Sequence, residues 1–126
     1  MLRTLLKSKI HRARVTRADL HYEGSISIDA ALMKAADLVP HEHVHVWNVT
    51  NGKRFETYAI PAPKGSGQIQ INGAAAHHAK RGDHVIIVSF GHLPEARATR
   101  HRPKIVFVDT KNRIKRIARI SGNAAV

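Results

Sequence analysis

The chain has 126 residues, 43% hydrophobic and 24% charged, which fits one soluble globular unit and excludes a disordered polypeptide. Its 21 lysines and arginines against 9 acidic residues give a net charge of +12, so an anionic partner is the first expectation, nucleic acid foremost. The lack of cysteine excludes disulfide scaffolds, thiolate metal sites and cysteine nucleophiles. No apolar run reaches the ~18 residues of a membrane span, and charge interrupts Met1 to Lys7 too early for a signal peptide, so a cytoplasmic protein without a membrane partner is expected.

Lys9 to Thr16 reads as a strand. Asp29 can cap a short helix through Ala30, Ala31, Leu32, Met33, Ala35 and Ala36. That helix must stop by Val39, because Pro40 lacks an N–H and disfavours helix in the residue before it. His43 to Val49 alternates as a strand, Thr50-Asn51-Gly52 supplies a hairpin turn, and Arg54 to Ile60 returns. Pro61 to Gly67 is a loop, Gln68 to Asn72 a strand, and Gly73 to Ala79 a tight turn into a short helix. His84 to Phe90 is nearly all apolar, as a strand covered on both faces would be. Gly91 to Pro103 reads as loop, followed by strands at Lys104 to Asp109 and Arg113 to Ile120. About seven short strands with two helical pieces predict a mainly β, single-domain fold over residues 1–126. A small barrel is the favoured architecture, because closure removes exposed edges.

The charge is unevenly placed. Residues 1–94 hold 12 lysines and arginines against 7 acids, a net of +5, while residues 95–126 hold 9 against 2, a net of +7. In that last quarter Arg97, Arg100, Arg102, Lys104, Lys111, Arg113, Lys115, Arg116 and Arg119 interleave with branched aliphatics. A solvated edge kept soluble by charge is favoured over an anion-binding edge, because Phe107 is the only aromatic there and single-strand binding needs stacking platforms.

Most candidate chemistry is weak. His41, His43 and His45 alternate and would share a strand face, but the sequence places no carboxylate beside them, so an exposed polar face is expected and no metal site. His77 and His78 are adjacent and diverge on a helix, and no Gly-x-Ser-x-Gly elbow is present. The segment His21-Tyr22-Glu23-Gly24-Ser25-Ile26-Ser27-Ile28-Asp29 is more informative. It reads locally as a β-turn, yet a strained Gly24–Ser25 bond, with Gly24 in an unusual backbone angle, would let the Ser25 hydroxyl attack the Gly24 carbonyl.

Four stretches carry a family likeness: Asp19-Leu20-His21-Tyr22-Glu23-Gly24-Ser25, Trp47-Asn48-Val49-Thr50-Asn51-Gly52-Lys53-Arg54-Phe55, Thr57-Tyr58-Ala59-Ile60 and Ile71-Asn72-Gly73-Ala74-Ala75-Ala76-His77. Together they closely resemble the pyruvoyl-dependent aspartate 1-decarboxylases, in order, over about residues 1–94. Residues 95–126 are less distinctive. The resemblance implies a double-psi β-barrel and a homotetramer with active sites at subunit interfaces. The implied reaction converts L-aspartate to β-alanine and carbon dioxide through a Schiff base, supplying pantothenate synthesis. It also implies self-cleavage between Gly24 and Ser25, leaving a covalent pyruvoyl group at position 25, with no metal and no pyridoxal phosphate. A maturation helper is compatible with the pattern, but no residue identifies one.

By matching position, the resemblance makes Ser25 the pyruvoyl precursor and Tyr58 the proton donor. Arg54 would be the carboxylate clamp and Thr57 a polar contact near the scissile carbonyl. Gly73, Ala74 and Ala75 would form a loop whose backbone N–H groups hold the substrate. Lys9 and His11 would reach the substrate from a neighbouring subunit, and Tyr22, Trp47, Asn72 and Ile86 would form walls. Lys9, His11 and Arg54 would then supply a locally cationic pocket for a dianionic substrate. The competing reading is a small basic β-barrel that binds nucleic acid, whose signature would be steep salt dependence.

Overall fold

A computed structural model describes residues 1–121. Nine strands dominate: β1 (Leu2–Arg14), β2 (Arg17–Asp19), β3 (Ser25–Asp29), β4 (His43–Asn48), β5 (Arg54–Ala62), β6 (Ile69–Asn72), β7 (His84–Pro94), β8 (Lys104–Val108) and β9 (Ile114–Arg119). Two short helices, α1 (Ala30–Ala35) and α2 (Glu95–Ala98), and a 3-10 turn at Gly73–His77 complete the described chain. None is long and apolar enough to cross a membrane.

The strands form one sheet in the order β2-β6-β3-β5-β4-β7-β1-β8-β9. Only Val15 and Thr16 separate β1 from β2, so the chain itself joins the β7 side of the sheet to the β6 side. Val15 N–H donates to the Asp83 carbonyl at 2.8 Å, Gly82 N–H donates to the Val15 carbonyl at 2.8 Å, and Thr16 N–H donates to the Ile69 carbonyl at 2.8 Å. The sheet therefore rolls into a small barrel, as expected, with the β8–β9 hairpin laid on the free edge of β1. Its interior is branched aliphatic: Ile10, Ile26, Ile28, Val44, Val46, Ile69, Ile71, Val85 and Ile87 are essentially inaccessible, and α1 adds Leu32 and Met33. Each such side chain contributes roughly 1.5–3 kcal/mol.

Alternation explains which residues stay outside. On β4, Val44 and Val46 point inward, leaving His43, His45 and Trp47 on the outer face. On β5 the same outer face carries Arg54, Glu56 and Tyr58. Polar anchors hold the connections. Asp29 caps α1 through Ala31 N–H at 2.8 Å and also accepts from Gly65 and Gly67 N–H, tying the 63–67 loop to β3. Buried Asn112 exchanges bonds with the Arg14 backbone and donates to the Gly67 carbonyl, fastening the β8–β9 turn to β1.

Three expectations shift. β1 starts at Leu2 rather than Lys9, because residues 2–6 pair with the far end of β7, which itself runs on through Pro94 into residues expected to be loop. Ser25–Asp29 is a strand rather than only a turn, paired on both edges by β5 and β6. The strand count rises to nine accordingly.

Candidate active site

The centre of the site is made by β3 lying antiparallel to β6, which sets Ser25 opposite Asn72. Ile26 and Ile28 fill the core, so Ser25 and Ser27 share the opposite face and meet Asn72 there. The Asn72 amide, fully buried, donates to Ser25 Oγ at 2.9 Å and to Ser27 Oγ at 3.0 Å, and its carbonyl oxygen accepts from Gln70 at 2.8 Å. Gln70 is in turn fixed by Gln68 at 2.9 Å. Ser25 is 1% exposed, and its hydroxyl donates back to the Glu23 carbonyl at 3.3 Å. An N–H aimed at the Ser25 oxygen supports negative charge building there, which suits a nucleophile.

Gly73 decides how closely the next segment approaches. It has φ +71, and a Cβ there would lie 2.7 Å from Gly24 Cα, 2.8 Å from Gly24 N and 2.9 Å from the Tyr22 carbonyl oxygen. The start of the 3-10 turn is thus pressed against the 22–24 segment, and only glycine fits. Gly24 behaves differently from the sequence reading: it is not among the positive-φ residues, and a Cβ on it would meet nothing within 4 Å. The unusual backbone angle belongs to Gly73, whereas the space around Gly24 would accept a Cβ.

Parallel pairing of β3 with β5 begins at Ile26 opposite Ala59. Ser25 and Tyr58 each precede that pair by one residue, so the hydroxyl-bearing tyrosine starts alongside the serine, with Thr57 next to it. Tyr58 is 36% exposed, and its ring lies 6.1 Å from that of His41. On the 3-10 turn Ala74 is exposed and Ala75 half-buried, and the neighbouring Tyr22 is exposed.

The remaining predicted residues lie elsewhere on the outer face. Arg54 pairs with Trp47, which pairs with Ile86, and the Arg54 guanidinium stacks over the Trp47 ring at 4.4 Å. Arg54 and Trp47, together with His45, Phe55, Glu56 and Phe90, line a cavity of about 320 Å³. Opposite Ile86, β1 carries a bulge of two residues, His11 and Arg12, between Ile10 and Ala13, with Arg12 at φ 61. Lys9 precedes it, half-buried. The His11 ring meets Phe107 edge-on at 5.6 Å, and both line a second cavity of about 340 Å³.

Burial, then the neighbouring Lys9 and Arg12 charges, pushes the His11 pKa below its ordinary value. The charged imidazole is thereby disfavoured, and the cationic character falls mainly to Lys9 and Arg54. Its Nδ1 is buried without a partner among the described residues. Within one chain β1 lies three strands from β5, roughly 14 Å across the sheet, and Arg54 is four residues from Tyr58, roughly 13 Å along it. The structure thus unites Gly24, Ser25, Asn72, Gly73, Thr57 and Tyr58, and keeps Lys9, His11, Trp47, Arg54 and Ile86 apart from them.

Sequence reasoning missed Ser27, Gln68 and Gln70, which hold Asn72 in place. The signal was present: Gln68, Gln70 and Asn72 alternate along β6, and Ser25 and Ser27 alternate along β3, so each set shares a face.

Residues 1–115 match the family model for aspartate decarboxylase, so the likeness extends past residue 94 through β8. The chain is 56% identical to the aspartate 1-decarboxylase of Leptothrix cholodnii over 117 residues, covering 93% of this chain and 89% of that protein. It is 60% identical to that of Syntrophotalea carbinolica over 112 residues, 89% and 86% of the two chains, and 57% identical to that of Syntrophobacter fumaroxidans over 113 residues, 90% and 91%. The chain belongs to the aspartate decarboxylase family.

Proposed function

We propose that this decarboxylase converts L-aspartate to β-alanine and carbon dioxide with a pyruvoyl group made from its own Ser25, in the cytoplasm, and so supplies pantothenate synthesis. Ser25 Oγ attacks the Gly24 carbonyl carbon, and the peptide C–N bond breaks as an ester forms. Elimination across Cα–Cβ then releases the Gly24 carboxylate, and hydrolysis of the resulting dehydroalanine expels ammonia. The observation that carries this reading is the arrangement around Ser25: its oxygen is buried, an Asn72 N–H points at it, and Gly73 is packed against a Gly24 with no other crowding.

A carbonyl at position 25 supplies the electron sink that the carbanion left by loss of carbon dioxide requires. The chain's own groups do the rest. Tyr58, beside residue 25, returns a proton to carbon. Asn72 keeps residue 25 in register, and Thr57 offers a hydroxyl near the scissile carbonyl. Backbone N–H groups at Gly73, Ala74 and Ala75 hold the substrate, where small side chains allow close approach. Arg54, roughly 13 Å along β5 from Tyr58, would offer its paired-donor guanidinium to a substrate carboxylate in a site completed by a neighbouring copy. The separation of Lys9, His11, Trp47, Arg54 and Ile86 from Tyr58 along the sheet supports a homotetramer in which a neighbouring copy closes each site. A small dicarboxylate, rather than a polyanion, is then the partner that Lys9 and Arg54 serve.

Denaturing intact-mass measurement tests the proposal. The expected result is two chains of 24 and 102 residues, the larger beginning with the modified residue. A single 126-residue chain after prolonged incubation, with no β-alanine formed from aspartate, overturns it. Ser25→Ala remains whole and inactive.

A further inference from the structure

Beyond the proposed reaction centre, β4 and β5 unite three ligating side chains. His43 and His45 are two residues apart on β4 and so share a face, and Glu56 stands directly opposite His45 on β5. The sequence alone leaves the histidines without a carboxylate; strand pairing provides one. Glu56 Oε1 is 2.8 Å from His43 Nε2 and 3.6 Å from His45 Nε2, and the three ligating atoms all lie within 4.8 Å of one another. The two rings are 5.0 Å apart and tilted by 33°.

We infer that His43, His45 and Glu56 form a binding site for a divalent transition-metal ion of the zinc class. Tetrahedral zinc with ligands at about 2.0–2.2 Å sets its ligand atoms roughly 3.4 Å apart. The measured separations of 2.8 and 3.6 Å fall either side of that figure, so small side-chain rotations close the site. Two imidazoles and one carboxylate are donors that zinc, nickel or copper accept, whereas magnesium and calcium favour oxygen-only sets. Three protein ligands leave a fourth position open.

The frame is rigid. Val44 and Val46, which alternate with the two histidines, are fully buried, and Phe90 meets the His45 ring edge-on at 5.2 Å. Glu56 Oε1 contacts both imidazoles, and a single bound ion between the three groups accounts for that convergence. Glu56 lies between Arg54 and Tyr58 on the outer face, so an ion would share their surface, but the site stands whether or not the proposed reaction is correct.

The test is zinc titration by calorimetry into the metal-stripped full chain, together with the cobalt absorption spectrum, whose strong visible bands report four-coordinate binding. One zinc per chain is expected. Losing an outer partner of a metal already costs 10–100-fold in affinity, so His43→Ala, His45→Ala and Glu56→Gln should each weaken binding at least about tenfold. All three side chains reach solvent, and circular dichroism checks that the fold persists. A His77→Ala/His78→Ala variant should bind as the unaltered protein does. Absence of stoichiometric binding overturns the inference. Binding that any of the three variants retains at full strength overturns the three-ligand assignment.

Discussion

The β3–β6 strip and the outer face of β1, β4, β5 and β7 handle polar groups in opposite ways. On the strip, Ser25, Ser27 and Asn72 are buried, uncharged and bonded to one another. On the outer face, Arg54, Glu56 and Tyr58 are exposed, while Lys9 and His11 are only half-covered. The contrast follows from what each region must do. Rearranging a backbone bond requires reacting atoms held in a fixed geometry, which burial and saturated hydrogen bonding provide. Capturing a charged metabolite requires charge that water and solute can reach, since a buried, unpaired cation would be too costly.

Three substitutions test that division, beginning with the most severe, and a fourth tests the acid stability of the barrel. Gly73→Ala places a Cβ 2.7 Å from Gly24 Cα at a φ of +71, so the 22–24 segment must move. Cleavage should be abolished, and stability should fall by about 2–3 kcal/mol, read by mass spectrometry and urea unfolding. Asn72→Ala leaves two buried hydroxyls without their donor. It should cost about 2 kcal/mol and slow cleavage, which a time course of chain masses would follow.

Arg54→Ala should leave cleavage intact and lower kcat/KM for aspartate roughly 10- to 100-fold through loss of charge-assisted bonds. Equal damage to cleavage and turnover would erase the distinction between the two regions. The mildest change concerns Glu42, which joins Lys7 of β1 to Ser89 of β7. Burial tends to raise its pKa, but hydrogen bonds from Lys7 at 2.8 Å, from Ser89 and from the Val39 N–H outweigh that and hold the carboxyl below its ordinary value. With the folded-state pKa depressed, ionised Glu42 contributes stability above its unfolded pKa, and that contribution is lost as pH falls through the folded value. Glu42→Gln should cost about 1 kcal/mol at neutral pH and flatten the acid limb of the unfolding midpoint against pH.

Much of the fold was legible from local rules. Asp29 as helix cap, the stop before Pro40, the 50–52 hairpin turn and the alternation of β4 and β5 all act over a few residues, and the structure keeps them. The first half of β1 and the end of β7 were not legible. Their pairing joins residues about 90 apart, Leu2 with Pro94, and no local pattern encodes such a partner. Within the site, Ser25, Tyr58 and Asn72 could be named from motifs, but the demand for glycine was assigned to position 24. Position 73 carries it, because the clash depends on a segment 49 residues earlier.

By itself the sequence determined the chain's composition, the short-range elements, the family likeness and the sign of the expected ligand, since these rest on residue identity and spacings of a few positions. Tertiary structure alone decided that Ser25 lies under Asn72, that Gly73 presses on Gly24, that Glu56 faces two histidines, and that the Lys9 side of the barrel stands apart from the serine. Those facts depend on strand register and barrel closure, which the whole core sets collectively, so no segment could specify them in isolation.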